Sequence, residues 1–344
     1  MNEKNININE LGEIGLIKHL TKNIQLKNKS SILGIGDDAA IINHGKNETI
    51  ISTDLLIEGV HFDMVFTPLK HLGYKAVTVN LSDVYAMNAL PRQITVSLGI
   101  SNKFSLEAIE EIYEGIQLAA KNYGVDIIGG DTTTNPYGLV ISITAIGEAS
   151  KKDLTHRSGA KENDLIVVSG DLGGAYAGLT VLQREKEVWK TNPNMQPDLS
   201  GFDYVLERQL KPEARKDIIK SLKEASILPT SMIDVSDGLA SELLHVCNAS
   251  KVGCQIFEDK IPIDQNTYKT AMDFNINPTT CALNGGEDYE LLFTVDLKDH
   301  KKIETIQDLS IIGHISSAKN GINLISKANQ SIPIEAQGWG HFKN

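Results

Sequence analysis

The sequence predicts an α/β or α+β chain of two domains, and three observations predict it. Apolar runs with the strand period alternate along the chain with patterns of helical period. The length, 344 residues, is enough for two cores of ordinary size. A polar stretch, SKKDLTHRSGAKEN from Ser150 to Asn163, interrupts the pattern near the middle and divides the chain into 1–150 and 151–344.

Taken in order, residues 11–22 carry a helical pattern, and TIIST (Thr49 to Thr53) reads as a buried strand ending at Asp54. After Pro68 the segment LKHLGYKAVTVNLSDVYAMNA is helical, with Leu69, Leu72, Ala76 and Val79 or Asn80 on one face. ITVSLGI (Ile94 to Ile100) alternates as a strand. Ser105 then caps a helix with Glu107 in its first turn, and Gly124, which tolerates the left-handed conformation, stops it. VDII (Val125 to Ile128) is a strand running into Gly129-Gly130-Asp131, plainly read as a turn, and LVISITAIGEA (Leu139 to Ala149) is another strand. The second half alternates in the same way, with strand DLIVVSG (Asp164 to Gly170), a helix from Gly174 and a helix after Pro212. Between those helices EKEVWKTNPNMQPDLSGFDY (Glu185 to Tyr204) reads as a solvated loop. A helix then follows Asp234 and Asp237, ALNGGEDYELLFTV (Ala282 to Val295) reads as a strand, and the tail closes on GWGHF, Gly338 to Phe342.

Composition removes several function classes. The formal charge is −11 and the basic residues are scattered, which argues against nucleic acid or an anionic membrane as partner. No apolar run is long enough to span a bilayer, and MNEKNININELGEIGL lacks the apolar core of a secretory signal, so the chain reads as cytosolic. Cys247, Cys254 and Cys281 form no CxxC pair, which supports neither a disulfide framework nor zinc. The P-loop, protein-kinase and GxSxG patterns are missing. GDLGGAYAGL (Gly170 to Leu179) is glycine-rich after a strand, and both a phosphate cradle and a close packing turn fit it.

What stands out is a repeated interruption of apolar runs by acids. It occurs in GIGDDAA (Asp37, Asp38), ISTDLL (Asp54), NLSDVYAM (Asp83), IIGGDTTT (Asp131), MIDVSDGLA (Asp234, Asp237) and NGGEDYEL (Glu287, Asp288). Each has a plain reading: a hairpin tip at Gly36-Asp37-Asp38, a loop or cap at Asp54, an exposed helical acid at Asp83, capping at Asp234 and Asp237. Capping does not explain their number. If the acids cluster, two carboxylates about 4 Å apart repel by roughly 4 kcal/mol at an effective dielectric near 20, so cations must accompany them. Hard oxygen donors, with Ser52 and Thr53 beside Asp54, suit Mg²⁺ together with substrate phosphates.

In this order and spacing, GIGDDAA, STDLLIEGVHF, YKAVTVNLSDVYAMNALP, IIGGDTTT, RSGAKENDLIVVSG, DVSDGLASEL and GGEDYELLFT resemble the thiamine-monophosphate kinase family. That family lies within the ATP-binding superfamily of aminoimidazole ribonucleotide synthetase. The resemblance implies a two-domain aminoimidazole ribonucleotide synthetase-like fold, and a homodimer built through the N-terminal sheets. It also implies ATP-dependent phosphorylation of thiamine monophosphate to thiamine diphosphate with several Mg²⁺ ions, leaving a K⁺ requirement open. Carried over by position, Asp38, Ser52, Thr53, Asp54, Asp83, Asp131, Asp234 and Asp237 would ligate metal. Tyr113, Gly130, Asp131, Arg157 and Ser236 would face ATP, and His61, Glu287 and Trp339 the thiamine substrate. Asp37 fits either a metal ligand or a group behind one. Selenophosphate synthetases resemble one another in a reactive N-terminal cysteine or selenocysteine, whereas the first cysteine here is Cys247. A non-catalytic metal- or nucleotide-binding regulator is the reading from another class.

Overall fold

The computed structural model describes residues 19–33 and 41–336. The chain forms two compact units: the first runs to Lys152 apart from Tyr85–Asn88, and the second takes those four residues together with Asp153 onward.

In the first unit a short ladder of β1 (Ser31–Leu33) and β2 (Ile41–Ile42) precedes a four-stranded sheet. Its strands are β3 (Glu48–Ile57), β4 (Leu90–Ile100), β5 (Asp126–Thr134) and β6 (Val140–Ala149), in the order β3-β6-β4-β5, with only β4 and β5 parallel. Helix α1 (Leu69–Ala86) follows β3, and α2 (Leu106–Tyr123) joins the parallel pair. Burial alternates along β6: Ile141, Ile143 and Ala145 are buried and the residues between them half-exposed, so one face of the sheet is covered. Ser105 caps α2 by accepting from Ala108 N, and Gly124 ends it at φ 73°.

Three expectations change. Strand β3 is not a buried strand ending at Asp54; it runs on to Ile57 with Ile51 and Leu55 exposed, because only one face of the sheet is covered. Helix α1 has no single apolar face. Leu72 through Ser82 are all buried, and the polar side chains of Thr78 and Asn80 bond back to the helix's own backbone, as Asn80 Nδ2 donates to Ala76 O. Gly129-Gly130-Asp131 is not a turn but the middle of β5, held in a parallel ladder on Thr95, Val96 and Ser97 of β4.

The second unit is built on a seven-stranded sheet. Its elements are β7 (Leu165–Ser169), α3 (Gly174–Thr191), α4 (Asp203–Leu210), α5 (Lys216–Glu224), β8 (Ser231–Asp234), α6 (Leu239–Ser250), β9 (Gly253–Phe257), α7 (Gln265–Asp273), α8 (Pro278–Asn284), β10 (Leu291–Val295), α9 (His300–Ile303), β11 (Leu309–Ser316), β12 (Ile322–Ile325) and β13 (Ser331–Pro333). The order is β13-β12-β9-β11-β7-β10-β8, antiparallel except for β12 against β9. Strands β7 and β10 are buried at every residue and lie at the centre of the core with Leu239, Leu243 and Val246 of α6. Two further expectations change here. The segment before GGED is helix α8, with Asn277 as its cap and Pro278 in the first turn, rather than a continuous strand. Glu185 to Thr191 continue α3 rather than forming a loop, since Ala177 and Val181 keep the helix packed on Val205.

Candidate active site

In the first unit the pleat of β3 sorts the predicted ligands. Ser52 and Asp54 point toward α1, where Asp54 N donates to Asn80 Oδ1 at 2.8 Å and Ser52 Oγ donates to Asp83 Oδ2. Asn80 and Asp83 are three residues apart and so share a helix face. Burial pushes the Asp54 carboxyl up to about 6, and the Asp83 charge adds to it. Two half-buried acids placed together in this way are suited to a hard divalent cation.

Thr53 lies on the other face, where its hydroxyl donates to Ile143 O at 3.0 Å and meets Thr144 Oγ1 at 2.9 Å. Asp131 belongs to that face too. It pairs with Ser97, which pairs with Ser142, which pairs with Leu55, whereas Asp54 shares its row with Ile143, Val96 and Gly130. Asp131 is exposed, and its Oδ1 accepts from Thr132 N at 2.9 Å. Thr53 and Asp131 therefore occupy the two edge strands of the open face, at least about 14 Å apart, since three strand spacings separate them. Gly130 has a structural reason of its own, because a Cβ there would collide with the Val96 carbonyl oxygen. His61 Nδ1 accepts from Ile57 N at 3.1 Å, which places the ring proton on Nε2. Tyr113 is buried in α2, and burial pushes its hydroxyl up to about 12.

In the second unit Asp234 ends β8 and is buried, while Ser236 and Asp237 follow it. The residue capping α6 is Gly238, with no side-chain cap bond, so capping does not account for either acid. Glu242, in the first turn of α6, is absent from the residues expected on sequence grounds, although it lies only five residues beyond Asp237. It is buried, accepts from Asp237 N at 3.2 Å, and is pushed up to about 8 by burial and by the charges of Asp234 and Asp237, against that hydrogen bond and Arg157. Arg157 is exposed.

The GGEDYE segment lies against this loop, with Glu287 N donating to Ser236 O at 2.7 Å and Tyr289 N to Val235 O at 2.9 Å. Its next two acids are structural. Asp288 is fully buried and accepts from Gly173 N at 2.7 Å and Ala175 N at 3.3 Å; burial pushes it up to about 7 against those donors and Arg208. This carboxylate fills the start of α3, which decides the glycine-rich stretch in favour of internal packing over phosphate binding. Glu290 accepts from Ser169 Oγ at 2.5 Å, Arg208 Nη1 at 2.9 Å and Arg215 Nη1 at 2.6 Å. Among the described residues no three His, Cys, Asp or Glu side chains converge as a metal cluster. Asp37, Asp38 and Trp339 lie outside the described residues.

Comparison with known proteins adds the following. The family described as AIR synthase related protein, N-terminal domain, matches residues 36–149. The thiamine-monophosphate kinase of Bacillus subtilis (strain 168) is 35% identical, covering 97% of this chain and 100% of its own. That of Buchnera aphidicola subsp. Schizaphis graminum is 37% identical over 97% of this chain and 99% of its own. A solved AaThiL structure, complexed with AMPPCP and TMP, superposes with a TM-score of 0.75 at 31% identity, covering 98% of this chain and 99% of that one.

Proposed function

Because the chain belongs to the thiamine-monophosphate kinase family, we propose that it transfers the γ-phosphoryl group of ATP to thiamine monophosphate, giving thiamine diphosphate and ADP, the last step in making that cofactor. The observation that carries this reading is the half-buried pair Asp54 and Asp83 with Ser52 beside them, in which burial and the Asp83 charge raise the Asp54 carboxyl. Their donor set is all hard oxygen and fits Mg²⁺. Ser52, Thr53, Asp54, Asp83, Asp131, Asp234 and Asp237 are the proposed holders, with Asp38 completing the set. When bound, Mg²⁺ neutralises phosphate charge so that two polyanions can approach.

The chain's own residues do the positioning. Asn80 pins the β3 backbone at Asp54, and Ser52 orients Asp83. His61, with its ring proton on Nε2, is assigned to the thiamine substrate, as are Glu287 and Trp339. Tyr113, Gly130, Asp131, Arg157 and Ser236 are assigned to ATP. The acceptor phosphate has a second pKa of about 6 and is mostly deprotonated at neutral pH, so direct in-line transfer requires no general base and no phosphoenzyme. We further propose a homodimer formed on the open face of the first sheet. Ile51 is 66% and Leu55 47% exposed there, and a second copy would supply across that face what the separated edge strands, bearing Thr53 and Asp131, cannot assemble alone. The proposed setting is the cytoplasm; among the described residues no helix is long and apolar enough to cross a membrane.

The test is ADP release from ATP, Mg²⁺ and thiamine monophosphate, with thiamine diphosphate detected directly. Wild type is expected to form product, and Asp83→Asn to lose at least about a hundredfold in turnover, roughly 2.7 kcal/mol of barrier. Turnover with another acceptor alone would retain the superfamily and remove the substrate. ATP binding by folded protein without any turnover would favour a regulator.

A further inference from the structure

We propose that Gln209 is a positioning residue that aims the Glu287 carboxylate at the acceptor substrate, an inference that rests on the kinase reading above. Gln209 Nε2 donates to Glu287 Oε2 at 2.8 Å. The donor side chain is only 6% exposed, an unusual place for a glutamine unless its amide has work to do. One carboxylate oxygen is thereby fixed, which sets the direction of the other while leaving the charge intact. The backbone beneath Glu287 is fixed as well: Gly286 and Glu287 stand in the left-handed region at φ 72° and 59°, and Glu287 N is bonded to Ser236 O. A non-glycine residue at such a φ is uncommon and persists when its surroundings hold it there.

The device is built into the packing of α4 on α3. At Gly178 of α3 a Cβ would collide with the Val205 carbonyl oxygen and come within 3.1 Å of Gln209 Cβ, so the absence of a side chain lets α4 approach closely enough for Gln209 to reach the loop. Arg208, the preceding residue, clamps α4 to Glu290 and to Asp171 O at 2.9 Å each. Adjacent residues of one helix thus hold the middle and the end of the GGEDYE segment. Arg208 does so through buried charges that sustain the fold, and Gln209 through a neutral amide on the half-buried acid. The class of ligand this suits is an N–H donor on the acceptor's heteroaromatic ring, which an oriented carboxylate recognises through a charge-assisted hydrogen bond.

The experiment is steady-state kinetics and calorimetric binding of thiamine monophosphate with Gln209→Leu and Gln209→Met, each checked for an unchanged melting temperature, and with Glu287→Gln alone and combined with Gln209→Leu. The expected result is a KM and Kd for thiamine monophosphate raised roughly tenfold in either Gln209 variant. The KM for ATP should be unchanged and kcat within about twofold, and the double variant no worse than Glu287→Gln, as for two residues acting through one contact. Unchanged thiamine monophosphate binding in both Gln209 variants would overturn the positioning role alone, as would a penalty that adds in full to that of Glu287→Gln. Failure of the wild type to bind thiamine monophosphate would instead overturn the kinase reading, and the positioning role with it.

Discussion

Glu290 and Asp54 are both acids withdrawn from water, yet their surroundings are opposites. Glu290 meets two guanidinium groups and a hydroxyl, whereas what acts on Asp54 is burial and a second carboxylate. Along the chain the two look alike, each an acid interrupting an apolar run. The difference lies in where the neutralising charge comes from. At Glu290 the chain supplies it, and the acid is part of the fold; at Asp54 the proposed Mg²⁺ would supply it. Desolvated charge without its counterion is a cost that selection keeps only for use.

The sharpest way to break this contrast is to remove the internal counterion. Arg208→Met should cost about 3–5 kcal/mol of unfolding free energy, because Glu290 and Asp288 are left buried beside one cation fewer. A denaturant titration checks it, and a loss below about 1 kcal/mol would mean that Arg215 alone suffices. Next in size is Glu242. Its folded pKa, about 8, exceeds its ordinary value of 4.5, so the folded state holds a proton that the unfolded chain releases. The contribution of Glu242 to stability is therefore full below pH 4.5 and is lost as pH rises toward 8. In metal-free buffer Glu242→Gln should flatten that decline and raise the melting temperature at pH 8 by several degrees, corresponding to about 2 kcal/mol. Smallest is the same effect at Asp54, raised to about 6 from 3.8, which erodes stability between about pH 4 and 6. Asp54→Asn should gain about 1 kcal/mol at pH 7 without metal and abolish part of the thermal stabilisation by Mg²⁺. A loss of stability in Asp54→Asn would place Asp54 with Glu290 as a structural acid.

Much of the scaffold was legible because it rests on local chemistry. Ser105 and Gly124 bracket α2 as caps do, and the alternation in β6 declares a sheet with one covered face. Where legibility failed, the deciding partner was distant. Asp131 looked like part of a turn because Gly129 and Gly130 precede it, and only the ladder to β4 keeps that segment extended. The Asn277-Pro278 start of α8 was written in the sequence, but the apolar residues running toward β10 masked it. Gln209 left no motif, since its importance depends on a loop 78 positions away that only the packing of α4 brings near. The open face was equally unreadable, because β3 carries apolar residues on both sides.

The carboxylate of Asp288 sits where the first N–H groups of α3 would otherwise receive a phosphate. The molecule has in effect plugged one of its own anion holes with a tethered occupant. A free nucleotide competing there must displace a group held at very high effective concentration, so this end of the fold is closed to stray phosphates. Trimming Asp288 to alanine would reopen the hole, and inorganic phosphate or sulfate could then serve as a detachable replacement for the missing side chain.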